Sequence, residues 1–101
     1  MRVPPDDYPL RVSGLCKLHG VYLIIDEVQT GFCRTGKSFA IEHSDKNIEA
    51  DFITMGKVLA GGVPIAAFAI SKALSVSIEK GDNGGTSCRD PLGCAVVGEV
   101  V

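Results

Sequence analysis

Val21-Tyr22-Leu23-Ile24-Ile25-Asp26-Glu27 runs apolar at both parities and then stops at two carboxylates. Strict alternation would mark a strand with one wet face. Apolar residues at both parities instead predict a strand buried on both faces of a parallel sheet, over Val21 to Ile25. That makes the chain an α/β protein whose polar chemistry gathers where the strand ends.

Working outward, Val3-Pro4-Pro5-Asp6-Asp7 is turn chemistry, with two carboxylates able to cap a helix. From Tyr8, Leu10, Leu15 and Leu18 form a helical stripe, Pro9 fits a first turn, and Gly20 suits the C-terminal cap. Beyond Glu27, the glycines and polar residues of Thr30-Gly31-Phe32-Cys33-Arg34-Thr35-Gly36-Lys37 predict an irregular loop, and residues 39–43 one helical turn. Phe52-Ile53-Thr54-Met55 reads as a second strand, joined to the first by a right-handed crossover, with Lys57 just past its end. After Gly61-Gly62, residues 64–70 predict a third strand and residues 71–78 a short helix capped by Ser71. A Gly-rich loop over residues 79–89 precedes Asp90-Pro91, an N-cap with proline in the first helical position, and a last helix over residues 92–101. The expected fold is thus a fragment of a mainly parallel sheet, three strands with flanking helices. No repeat or linker marks an internal boundary, so residues 1–101 read as one partial domain. So few helices cannot cover both faces of such a sheet, which predicts a piece of a larger domain.

Composition excludes several classes of function. The chain has 101 residues, 46 % of them hydrophobic, and its 10 Lys and Arg against 12 Asp and Glu give a net charge of −2. There is no basic footprint for nucleic acid. The apolar run that ends at Ile25 is far short of the roughly 20 residues needed to cross a bilayer, so no membrane partner is expected. No secretory signal is legible, which points to a cytoplasmic setting with the mitochondrial matrix as the alternative. Cys16, Cys33, Cys88 and Cys94 contain no C-x-x-C pair, so they read as reduced thiols, and no metal site is predicted.

Three polar residues, Asp26, Gln29 and Lys57, stand at or just beyond the C-terminal ends of apolar strands, where open α/β sheets bind ligands. A carboxylate closing a buried strand needs a cation or strong donors. From spacing alone, Asp26 and Lys57 pair with each other, lie on a solvated rim, or share a third group between them. Thr86, after Gly84-Gly85, fits either a phosphate nest or a plain turn. Arg34 fits a substrate carboxylate or its own loop, and Glu27, His19 and His43 read as structural or exposed.

The run Leu23-Ile24-Ile25-Asp26-Glu27-Val28-Gln29-Thr30-Gly31-Phe32, with Arg34-Thr35-Gly36-Lys37 and Phe39-Ala40-Ile41-Glu42-His43, resembles the class III aminotransferases of the ornithine and 4-aminobutyrate type. Residues 51–57 with Leu59, Gly61, Gly62 and Pro64 are similar to the family's segment carrying the Schiff-base lysine. Gly84-Gly85-Thr86 with Pro91-Leu92 is similar to its later phosphate loop.

The resemblance implies the large domain of a fold-type I transferase that uses pyridoxal 5′-phosphate (PLP). It also implies transamination from an ω-amino or similar donor to a 2-oxo acid, in a homodimer. It assigns Lys57 to the catalytic Schiff base and Asp26 to the pyridine nitrogen. Val28, carried to the same side as Asp26 by strand alternation, packs on the cofactor ring. Gln29 bonds the ring's phenolic oxygen, and Thr86 contacts the phosphate of the neighbouring subunit's cofactor.

The chain departs from the family pattern at Cys33, where a small residue, often glycine, is usual, and at Ser87-Cys88-Arg89-Asp90, where glycines and an asparagine are usual. The family's upstream phosphate loop and stacking aromatic, and its downstream arginine and small domain, have no counterpart in these residues. The expectation is little or no activity from the segment alone. The alternatives are a truncated, non-catalytic or subunit-association remnant, and an aminomutase, decarboxylase or racemase on the same scaffold; Gln29 favours transamination over the aminomutases.

Overall fold

The computed structural model describes residues 3–44, 48–82, 84 and 90–100. Helix α1, Tyr8–His19, ends at Gly20, whose φ of 62° is the left-handed conformation that glycine adopts without a Cβ clash. Asp7 occupies the N-cap position but makes no side-chain cap bond. Its carboxylate instead lies 3.9 Å from Arg11 one turn on, an exposed pair worth little. The expected leucine stripe is not the covered face, since Leu15 and Leu18 are exposed and the helix turns Ser13 inward. The helical period was legible, but the buried face depends on what packs against it.

Strand β1 is Ile24–Asp26, shorter than expected. Val21 is taken by the helix exit, its N–H donating to the Cys16 carbonyl, and the Leu23 N–H donates to Asp51 Oδ2 at 2.8 Å rather than to a ladder partner. Ile24 is exposed while Leu23 is buried, so among the described residues only one face of the strand is covered.

Strand β2, Phe52–Met55, has the expected bounds and lies parallel to β1, with Ile24 opposite Phe52 and Asp26 opposite Thr54. Strand β3 is Ala67–Ile70, shorter than expected and antiparallel to β2, so this three-stranded sheet is mixed, in the order β1-β2-β3. Connection length explains both pairings. Residues 27–51 are enough for a crossover, whereas residues 56–66 fall short of the dozen or so that a parallel return needs.

Helix α2, Lys72–Ser75, is shorter than expected; Ser71 sits at its N-cap without a side-chain cap bond, and its Oγ is buried without a partner among the described residues. Helix α3, Pro91–Val100, starts as expected: Asp90 Oδ2 accepts the Gly93 N–H at 2.7 Å. Helix α3 packs on a 3₁₀ turn, Lys57–Ala60, whose Leu59 and Ala60 form the core with Leu23. Gly93 lets the helix lie close to Ile65 beyond that turn, since a Cβ there would lie 3.2 Å from Ile65 Cδ1. Among the described residues no helix is long and apolar enough to cross a membrane, and no cluster of metal-ligating side chains occurs.

Candidate functional site

Asp26 is the last residue of β1, and its side chain is exposed rather than buried as a strand-closing carboxylate was expected to be. Its Oδ1 accepts two hydrogen bonds, from the Val28 backbone N–H at 3.0 Å and from the Thr54 hydroxyl at 3.0 Å. Its partners are therefore neutral donors. The Val28 N–H first, then the Thr54 hydroxyl, and last the charge of Lys57 hold this carboxyl below its ordinary value, against a small opposing effect of burial. Among the described residues no ion pair joins Asp26 to Lys57. Direct pairing, one of the arrangements open from spacing, is thereby excluded.

Lys57 opens the 3₁₀ turn directly after Gly56 and is exposed. Its φ is 48°, a left-handed conformation that costs a residue with a side chain about 1–2 kcal/mol. The burial of Leu59 and Ala60 beneath it, with α3 packed on the same turn, holds the backbone there. Lys57 and Gln29 line one open groove of about 710 Å³ with Arg34, Val58, Gly61 and Gly62. Asp26 lines a different depression, of about 320 Å³, that includes Glu27, Thr30 and Tyr8 and shares no lining residue with that groove.

Val28 is placed by a turn and not by strand alternation, because β1 ends two residues earlier. Its side chain packs over Gly56, with Cγ1 3.4 Å from where a Cβ would stand, and so beside the residue that precedes Lys57. Thr86, with Gly85, Ser87, Cys88 and Arg89, lies outside the described residues.

One contributor was not anticipated, and one expected structural residue is more deeply placed than its neighbours. Thr54 carries no mark in the sequence, because a hydroxyl within a strand is ordinary and its register with Asp26 exists only after pairing. Glu27 is almost fully buried, 1 % exposed, and accepts the Thr30 hydroxyl and the Ile41 N–H, the latter at 2.9 Å. Opposite parity to Asp26 was the available signal. His43 is structural, as expected: its Nε2 lies 3.0 Å from the Thr35 carbonyl oxygen and closes the loop on itself.

Over residues 1–101 the chain matches the family described as Aminotransferase class-III. It is 41 % identical over 97 residues to the acetylornithine aminotransferase of Methanopyrus kandleri, covering 96 % of this chain and 24 % of that protein. It is similar to the solved ornithine aminotransferase of Plasmodium yoelii, with a TM-score of 0.84, 37 % identity, and coverage of 97 % of this chain and 26 % of that one. For the ornithine aminotransferase of Toxoplasma gondii, crystallized in the presence of oxidized glutathione and described as having PLP at partial occupancy in its active site, the TM-score is 0.80. Identity there is 35 %, with 97 % of this chain and 23 % of that one covered. The chain spans about a quarter of the length of these relatives.

Proposed function

The chain belongs to the class III aminotransferases, and from that premise we propose that it is the central, cofactor-binding segment of a transaminase acting on an ω-amino donor and a 2-oxo acid. Its three strands and flanking helices are part of the α/β fold of these PLP-dependent enzymes. The observation that carries the proposal is the separation of two charged groups at one end of the sheet. Asp26 keeps Oδ2 without a protein partner among the described residues, while Lys57 shares a groove with Gln29.

That donor set fits PLP. A free carboxylate oxygen suits a protonated pyridine nitrogen, an amide suits a phenolic oxygen, and a primary amine suits an aldehyde. When bound, the cofactor supplies a carbonyl that links to amines and a protonated ring that accepts the electron pair released when a carbon–hydrogen bond breaks.

Asp26, held ionised by Val28 N–H and Thr54, keeps the ring nitrogen's proton in place through Oδ2. Val28 supplies an apolar surface beside Gly56 for the ring. Gln29 donates from its side-chain amide, and Nζ of Lys57 is the attachment point. Once a substrate amine has taken its place, Nζ is free to carry a proton as a general base and acid. Thr86 is assigned to the phosphate of the neighbouring subunit's cofactor, and a homodimer is part of the proposal.

The test uses the full-length polypeptide that contains this sequence. Borohydride reduction in the presence of PLP, followed by peptide mapping, is expected to leave the pyridoxyl group on Lys57 and to abolish amino transfer from ornithine or acetylornithine. A label on another lysine, or none, overturns the proposal.

A further inference from the structure

Thr54 faces Asp26 across the parallel ladder, and its hydroxyl donates to Oδ1 at 3.0 Å. The Val28 N–H donates to the same oxygen at 3.0 Å. Two donors converging on one oxygen from different elements, a strand and a turn, fix both the rotamer and the plane of the carboxylate. Oδ2 is thereby kept for a ligand.

The two donors differ in kind. Almost any residue at position 28 supplies the N–H, but only a hydroxyl at position 54 supplies the second bond. The strand itself does not need that hydroxyl, since a β-branched valine suits a half-buried strand equally well. Nor does the bond close a buried polar gap, because Asp26 is exposed. What the hydroxyl does is restrain a carboxylate that solvent would otherwise leave free to rotate.

We propose that Thr54 is a positioning residue for the cofactor site: its hydroxyl orients Asp26 so that Oδ2 is presented to the protonated ring nitrogen. This rests on the assignment of Asp26 made above. The lowered Asp26 carboxyl agrees with it, the Val28 N–H being the larger cause and the Thr54 hydroxyl the second. Among the described residues, the other ionisable groups around the acid are Lys57, whose charge acts in the same direction, and Glu27 and Tyr8, which line the same depression.

The experiment compares Thr54→Val, Thr54→Ser and Asp26→Asn in the full-length chain. It measures PLP affinity by equilibrium dialysis from neutral pH down through the aspartate range. Loss of a hydrogen bond to a charged group predicts about a tenfold weaker affinity for Thr54→Val. The acid limb of its binding curve moves toward neutral pH, because the carboxyl returns part of the way to its ordinary value. Thr54→Ser restores both, and the two Thr54 variants melt close to the unmodified protein. Thr54→Val binding like the unmodified chain at every pH, or Thr54→Ser failing as badly as Thr54→Val, overturns the proposal. Asp26→Asn binding PLP normally overturns the assignment of Asp26 on which it stands, a different outcome from weak binding by Asp26→Asn with Thr54→Val unchanged.

Discussion

The buried carboxylate of Glu27 accepts the Ile41 backbone N–H at 2.9 Å and so fastens the 3₁₀ turn Ala40–His43 to the end of β1. Its other oxygen takes the Thr30 hydroxyl, and its own N–H donates to the Thr54 carbonyl at 3.0 Å. One side chain therefore ties the acid-bearing strand, the Gln29 turn and the loop beyond.

Replacing Glu27 with alanine leaves the Ile41 N–H and the Thr30 hydroxyl without their partner. The expected cost is about 2–3 kcal/mol, read from urea unfolding of the full-length chain. Glu27→Gln, which retains an acceptor, is expected to lose less than half as much; equal losses for the two variants contradict this account.

Cys33 has a φ of 64° and is exposed. A side chain in that conformation carries strain that glycine does not, so Cys33→Gly is expected to stabilise the protein by about 0.5–1 kcal/mol, after allowing for the greater freedom of the unfolded chain. The gain appears as a higher urea midpoint with an unchanged slope.

At the start of α3, Asp90→Ala removes the bond to the Gly93 N–H and is expected to cost about 1 kcal/mol. Gly93→Ala is expected to be destabilising as well, against its helix propensity. The new methyl would stand 3.1 Å from Asp90 Oδ2, which cannot retreat without giving up the cap, and 3.2 Å from Ile65 Cδ1. In a double-mutant cycle the alanine at position 93 costs less once Asp90 is gone, and strict additivity would count against the close approach.

Asp26 titrates below its ordinary value of 3.8 in the folded chain. A carboxyl whose folded value is depressed adds stability above its unfolded value, and loses it as pH falls through the folded one. The difference in melting temperature between the unmodified protein and Asp26→Asn is therefore expected to be fully present at neutral pH and to shrink on acidification below that value. A difference that grows with acidification contradicts the assigned direction.

The places of Asp26, Gln29 and Lys57 at or just beyond strand ends were legible because charged or amide side chains after apolar runs stand out, while the roles proposed for them come from the resemblance. The bounds of β2 were legible for a related reason: Asp51 and Gly56 bracket a short apolar run. The direction of β3 was hidden in linker length, and the inward placement of Ser13 in place of Leu15 and Leu18 depended on packing that periodicity does not encode. Thr54 escaped because its importance comes from a partner 28 residues away, and the structural reading of Glu27 did not extend to its partner at Ile41, 14 residues on.

The parallel register that sets Asp26 against Thr54 has a consequence for how sequences of this kind can diverge. The acid and the amine are 31 positions apart along the polypeptide, yet their separation in space is fixed across the ladder and through Met55 and Gly56 alone. Changes of length in the connection that leave residues 26–29 and the Glu27–Ile41 tie intact do not shift that register, whereas one added residue between Thr54 and Lys57 would uncouple the two groups.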